Sequence, residues 1–182
     1  PPRSTLFPYT TLFRSLWLHE PHTPFHTVPK YRQRFPKLGE RDNIYASVLS
    51  HADDRIGDVL NALDRLKLTD QTLVIFSSDN GPARAQIGTP LKSMYDTATG
   101  EGFNVAASKG ITGGRKGYKA ALFEGGVGVP FIARWPGKIA AGKIDQTSIF
   151  SAVDLLPTFC EIAGVKLPRS EERRVGKECR SR

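Results

Sequence analysis

The strongest constraint on the fold is a long amphipathic stretch that runs into a short, wholly apolar one. From about Asp42, which has the side chain of an N-cap, to about Leu66, apolar residues recur at spacings of three and four; this pattern predicts a helix with one apolar face. Residues 73–76 (LVIF) form a β-branched and aromatic run, as expected of a strand buried on both faces of a parallel sheet. A strand that follows a helix predicts an α/β fold.

The other predicted elements are shorter. Residues 16–18 form an apolar stub that predicts a strand, which ends in a proline-punctuated loop. Residues 129–135 predict a second strand, and residues 148–163 lead into a helix that Gly164 ends. Residues 82–117 are rich in glycine and lack periodicity, so we expect a long irregular excursion, which in a compact domain tends to be functional or disordered.

Composition excludes several classes of protein. The 182 residues contain only two cysteines, which rules out a disulfide scaffold, and no apolar run approaches the ~20 residues of a membrane span. A net charge of +8 alone would suggest nucleic acid as a partner. However, the two ends carry most of this charge, and residues 16–168 retain only +3 with no aromatic and basic cluster, so we expect no nucleic-acid partner.

The two ends share an unusual relation. Residues 5–15 (TLFPYTTLFRS) and 169–179 (RSEERRVGKEC) can be encoded by one DNA segment read in opposite orientations. That segment resembles a sequencing-library adapter, so we interpret residues 1–15 and 169–182 as artefactual and residues 16–168 as the natural part. We expect the ends to be poorly ordered or loosely docked.

Asp79 and Asn80 follow the predicted strand at 73–76 directly. Ligands of open α/β sheets bind outside the carboxyl ends of the strands, and carboxylate and amide oxygens suit Ca²⁺ or Mg²⁺. The residues themselves leave a second interpretation open, because Asp-Asn-Gly is also a common turn sequence.

Two further residues could contact an anion. His22 lies in a proline-bracketed loop, where an imidazole could donate to an anion or act as an acid, although His19 and His26 compete with it. Lys119 precedes Glu124 and two glycines that imply a close backbone approach. Taken alone, the histidine and the lysine are more simply explained as solvated surface residues.

Together these pieces resemble the formylglycine-dependent sulfatase family of the alkaline-phosphatase-like superfamily. Order, spacing and context agree over nearly all of residues 16–168. The matching motifs are PHTPF (21–25), LVIFSSDNG (73–81), GYKAALFEGGVGVPFIARWPG (117–137) and DLLPTFCEIAGVKLP (154–168). The resemblance implies a partial alkaline-phosphatase-like sandwich, with a mostly parallel sheet flanked by helices and cut at both ends.

The resemblance also implies roles for single residues. Asp79 and Asn80 would be ligands of the active-site divalent cation, usually Ca²⁺. His22 and Lys119 would be the catalytic residues that contact the substrate sulfate; Lys116 lies three residues too early for that role. A cation, a lysine and a histidine would together offset the charge that develops during sulfate ester hydrolysis.

Other family features are missing from the sequence. The family's nucleophile is a formylglycine made from the first residue of a Cys-x-Pro-x-Arg motif or its serine version, and neither Cys160 nor Cys179 begins such a motif. The pair Asp53 and Asp54 lies inside the predicted helix and not after a first strand, so we interpret it as a solvated face. We therefore expect the chain to be the C-terminal part of a sulfatase catalytic domain, inactive by itself.

The implied function is hydrolysis of sulfate esters on a small molecule or a carbohydrate, with sulfated sugars among the candidates. A phosphonate or phosphate ester hydrolase of the same superfamily is the alternative, and a basic nucleic-acid-binding protein is a remote one. The resemblance makes a periplasmic or secreted location the expectation.

Overall fold

The computed structural model describes residues 13–85, 90–91, 102–103 and 105–166. The chain divides into two compact units, one formed by Trp17–Gly142 and the other by Pro1–Leu16 with Lys143–Arg182. The expectation of loosely docked ends falls almost wholly on residues outside the described ranges. The elements are helices α1 (Pro29–Arg32), α2 (Glu40–Arg65), α3 (Glu124–Val127) and α4 (Leu155–Ile162), strands β1 (Phe25–His26), β2 (Val74–Ser77), β3 (Gly102–Phe103) and β4 (Phe131–Arg134), and 3₁₀ turns at Thr69–Gln71, Val105–Ala107 and Ala152–Asp154.

Helix α2 confirms the helix predicted from the apolar spacing, with a start two residues earlier. Its N-cap is Gly39, so the prediction of Asp42 as the cap is wrong. Asp42 lies instead in the first turn with Glu40, where a carboxylate faces the partial positive charge of the helix N-terminus. The same acidic residue therefore suits either position, and the sequence does not distinguish them.

The core of the larger unit lies between α2 and a short two-stranded ladder. Strands β1 and β3 pair antiparallel, with Phe25 opposite Phe103. Both rings pack with Ile44 and Val48 of α2, and Ala107 completes this cluster of buried side chains. The strand predicted at residues 16–18 is not formed, and the first strand of the described residues begins seven residues later at Phe25.

Strands β2 and β4 form the second ladder. Val74 lies opposite Arg134 and Ser77 opposite Phe131, so these strands run antiparallel. Both described ladders are thus antiparallel, and the expected parallel partner of β2 is not among the described residues. Burial of β2 on both faces is wrong too, because its residues are only half-buried or exposed. An apolar run does not encode the direction of its partner strand, and the long connection from β2 to β4 permits either direction.

Helix α4 belongs to the smaller unit. Ser151 and Asp154 cap the preceding 3₁₀ turn reciprocally, and the Ser151 N–H donates to Asp154 Oδ2 at 2.8 Å. The predicted stop at Gly164 is formed with a φ of +65°. The Phe13 ring lies 5.4 Å, between centroids, from that of Phe159 on α4. None of the helices in the described ranges is both long and apolar enough to cross a membrane.

Candidate functional site

The loop after β2 presents two oxygen donors. Asp79 is exposed, and Asn80 is half-buried. The Asn80 Nδ2 donates to the carbonyl oxygen of Gly81 at 2.9 Å, and Ser78 Oγ donates to the carbonyl oxygen of Asn80 at 3.0 Å. Because the amide nitrogen of Asn80 is used within the loop, its Oδ1 is the atom left for a ligand.

Backbone hydrogen bonds join this loop to the segment that carries Lys119. The Gly81 N–H donates to the carbonyl oxygen of Gly126 at 2.8 Å, and the Lys119 N–H donates to that of Pro82 at 2.9 Å. Glycine is required for this approach, since a Cβ at Gly81 would overlap the carbonyl oxygen of Gly125. Residues 78–82 and 116–126, which we call the paired loops, therefore bring Asp79, Asn80 and the backbone of Lys119 into one small region.

The second of the paired loops is held in shape by its own contacts. The Gly125 N–H donates to the carbonyl oxygen of Lys116 at 2.7 Å, and the Gly126 N–H donates to that of Phe123 at 2.8 Å. A Cβ at Gly125 or Gly126 would meet backbone carbonyl oxygens of the same loop. The glycines noted in the sequence thus serve close backbone packing, while the Lys119 side chain stays exposed.

His22 lies in a tight turn of its own. Its N–H donates to the carbonyl oxygen of His19 at 2.8 Å, and its Nδ1 lies 2.7 Å from the carbonyl oxygen of Thr23. Since a carbonyl only accepts, Nδ1 carries the proton and Nε2 remains for a ligand. The His22 ring lies 6.0 Å from that of His19. Within the described residues, no hydrogen bond or ring contact joins His22 to the paired loops.

Two features of the site had no signal that we recognised in the sequence. One is the carbonyl oxygen of Pro82, which positions the backbone of Lys119. The other is a polar contact of 3.2 Å between Glu20 Oε1 and Nδ1 of His51, which ties the His22 turn to α2. Neither could be found by spacing, because both join residues far apart in the chain.

The donor set fits a hard divalent cation only in part. The described residues contain no group of three or more His, Cys, Asp or Glu side chains that could hold a metal ion. Asp79 and Asn80 supply oxygen donors of the kind that Ca²⁺ prefers, but Ca²⁺ takes about six to eight oxygens. The two residues therefore fit as part of a cation site and do not complete one.

Asp54 and Cys160 were also considered in the sequence, and each has surroundings of its own. Asp54 accepts two hydrogen bonds from Arg34, at 2.8 and 3.3 Å, and this bonding holds the pKa of the carboxyl below its ordinary value. Asp54 of α2 therefore forms an ion pair with Arg34 in the segment between α1 and α2, a more specific role than the predicted solvated face. Cys160 is a free thiol, only 8% exposed in α4.

The known proteins that this chain resembles in sequence are sulfatases. A sequence model of the Sulfatase family matches residues 12–165. N-acetylgalactosamine-6-O-sulfatase of Bacteroides thetaiotaomicron is 33% identical over 147 residues, which are 81% of this chain and 25% of that protein. Steryl-sulfatase of Homo sapiens is 36% identical over 126 residues, which are 69% of this chain and 19% of that protein.

The fold agrees with these sequence matches. The crystal structure of Ps i-CgsB in complex with k-i-k-neocarrahexaose superposes with a TM-score of 0.64 at 28% identity, covering 82% of this chain and 28% of that one. This match confirms a partial α/β fold of the alkaline-phosphatase-like type. The chain spans 25% or less of the length of the two curated relatives. The family match covers most of the chain, and the chain belongs to the sulfatase family.

Proposed function

We propose that this chain is part of an enzyme that hydrolyses sulfate esters, with Asp79 and Asn80 at a divalent cation, Ca²⁺, and Lys119 and His22 at the substrate sulfate. The observation that carries the proposal is the hydrogen bonding between the paired loops, because it joins the oxygen donors to the lysine-bearing segment in a chain of the sulfatase family. Family resemblance supports a periplasmic or secreted site of action.

The reaction determines what these residues must do. Hydrolysis forms a bond from an attacking oxygen to sulfur as it breaks the bond between sulfur and the leaving oxygen, and negative charge grows on the leaving oxygen and on the transferring group. An ammonium at Lys119 stabilises this charge, and the backbone bond to Pro82 holds its Cα in place before substrate arrives. Fixing the Cα limits where the exposed side chain can place its ammonium, and a donor that is already near its position needs less rearrangement during the reaction.

The bond from Nδ1 to Thr23 orients the His22 ring and leaves Nε2 to meet an anion, and Nε2 can donate there only when both ring nitrogens carry a proton. With Nδ1–H bonded to Thr23, a proton on Nε2 would point away from that bond, where it could be donated to a sulfate oxygen or to the leaving oxygen. In the proposed site His22 therefore either binds the sulfate or supplies the proton that the leaving oxygen needs.

The cofactors supply the remaining chemistry. A divalent cation held by the Asp79 carboxylate and Asn80 Oδ1 would neutralise charge on the sulfate oxygens. The nucleophile of the family is a formylglycine, and this chain has no Cys-x-Pro-x-Arg motif from which to make one. We therefore expect the chain alone to bind Ca²⁺ weakly and to hydrolyse no aryl sulfate.

The test is p-nitrophenyl sulfate turnover, measured on the 182-residue chain and on a longer protein that contains this segment together with a formylglycine motif. We expect no turnover by the chain. In the longer protein, Lys119→Ala should lower kcat by roughly 10²–10³, the usual cost of one preorganised donor. The matched control is Lys138→Ala, which removes the same charge beyond the far end of β4.

Three outcomes would contradict the proposal. Turnover by the chain alone, abolished by Asp79→Ala, would refute the argument from the missing nucleophile. Equal rates for Lys119→Ala and Lys138→Ala would refute the role of Lys119. Faster turnover of p-nitrophenyl phosphate than of the sulfate would favour a phosphate ester hydrolase of the same superfamily.

A further inference from the structure

Four cationic side chains lie on or beside the paired loops. They are Arg84, Arg115, Lys116 and Lys119. Residues 105–123 contain no acidic residue, and in the described parts of the chain none of the four forms an ion pair. Lys109 differs, because its ammonium pairs with Asp42 at 2.8 Å. The paired loops also hold two acidic side chains, Asp79 and Glu124, so four cations and two carboxylates leave a net charge of +2 in this region.

Two of these cations are held on aromatic rings. The Lys116 Nζ lies 4.0 Å from the ring centroid of Phe123, and the Arg84 guanidinium carbon lies 5.9 Å from that of Tyr118. Such contacts attract a cation to the ring face and limit the freedom of its side chain. Both side chains are therefore partly ordered before any anion binds. Less conformational entropy is then lost when an anion binds to them.

The backbone brings the residues that carry these two cations near Lys119 in the paired loops. Arg84 follows Pro82 by two residues, and the Pro82 carbonyl oxygen accepts the Lys119 N–H. Tyr118, whose ring lies under the Arg84 guanidinium, directly precedes Lys119 in the chain. Lys116 precedes Lys119 by three residues and bonds to Gly125 through its carbonyl oxygen. A substrate anion at Lys119 would thus have two ordered positive charges on neighbouring residues.

We propose that Arg84 and Lys116 form a second anion-binding subsite, which selects oligosaccharide substrates that carry another sulfate near the one to be cleaved. The inference rests on the proposed function for the position of the first sulfate. A single-stranded nucleic acid also carries closely spaced anions, but its binding usually relies on exposed aromatic faces for base stacking. Here Tyr118 and Phe123 each have a cation over the ring.

The experiment titrates the 182-residue chain with a monosulfated disaccharide and with the same disaccharide carrying two sulfates, followed by backbone amide chemical shifts. We expect the disulfated ligand to bind roughly 3- to 10-fold more tightly, as for two exposed charge pairs. The double variant Arg84→Gln, Lys116→Gln should bring this ratio close to one. The control Lys37→Gln, Lys138→Gln removes the same charge elsewhere and should leave the ratio unchanged.

The outcomes separate this inference from the proposed function. Equal affinities for the two ligands in the unaltered chain, or an equal loss of preference in the control, would overturn the subsite. Tight binding of a deoxythymidine oligonucleotide with the same dependence on Arg84 and Lys116 would identify a nucleic-acid surface instead. Failure of Lys119→Gln to weaken the monosulfated ligand would count against the proposed function alone, provided that the preference for two sulfates still depends on Arg84 and Lys116.

Discussion

Replacing Gly81 with alanine should separate the paired loops. The new Cβ would lie 2.9 Å from the carbonyl carbon of Gly125 and 3.1 Å from Cα of Gly126, in addition to its overlap with the carbonyl oxygen of Gly125. All of these atoms belong to the backbone, so no side-chain rotation can relieve the overlap. The loops must move apart, and that movement breaks the bond from the Gly81 N–H to the carbonyl oxygen of Gly126.

The expected change in the free energy of unfolding combines overpacking by the new Cβ with the loss of one hydrogen bond. Overpacking costs about 1–3 kcal/mol. A lost hydrogen bond costs about 0.5–1.5 kcal/mol. We therefore expect Gly81→Ala to lower the free energy of unfolding by about 2–4 kcal/mol. With a urea m-value of about 2 kcal/mol/M, the midpoint would fall by roughly 1–2 M.

Gly57→Ala is the matched control, because it makes the same substitution in the middle of α2. Nothing lies within 4 Å of a Cβ there. Alanine in a helix interior is more favourable than glycine by about 0.5–1 kcal/mol, so the control should stabilise the chain. Urea unfolding followed by tryptophan fluorescence measures both variants. A Gly81→Ala midpoint equal to that of the unaltered chain, or above it, would refute the argument from close backbone approach.

Three further predictions concern the core, acid stability and the cation. Ile44 is fully buried, so Ile44→Ala should lower the free energy of unfolding by about 2–5 kcal/mol, whereas Ile111→Ala, at an 84% exposed position, should change it little. Bonding to Arg34 lowers the pKa of Asp54 below its ordinary 3.8, so its stabilisation is present above that value and is lost as the pH falls through the lower folded pKa. Arg34→Gln should flatten this part of an acid unfolding curve, and an unchanged curve would refute the coupling. Asp79→Asn should abolish the Ca²⁺-dependent amide shifts of the loop after β2, and shifts that persist in the variant would exclude Asp79 as a ligand.

The features that could be predicted from the sequence are those that depend on local periodicity and on turn chemistry. Helix α2 follows from the spacing of Ile44, Val48 and the other apolar residues, because a helix that buries one face needs that spacing whatever it packs against. The stop after α4 is equally local, because Gly164 has a positive φ, which favours glycine.

The features that could not be predicted depend on residues far apart in the chain. The antiparallel pairing of β2 with β4 joins segments more than fifty residues apart, and neither strand encodes the direction of its partner. The bond between Lys119 and Pro82 is of the same kind, because it depends on where two loops meet. The predicted site residues come from the family resemblance instead, and their roles stay predictions.

The loop at Asp79 shows why the two interpretations of Asp-Asn-Gly are compatible. A turn needs local hydrogen bonds, and Asn80 makes one through Nδ2 to Gly81. A cation needs oxygen donors, and that bond leaves the Asn80 Oδ1 and the Asp79 carboxylate available. The turn therefore orders the donors that the cation would use, so its presence does not argue against a ligand role. Gly81, packed against the backbone of Gly125, holds this turn beside the segment that carries Lys119 whichever role the turn has, so the Ca²⁺ titration of Asp79→Asn is the measurement that separates the two roles.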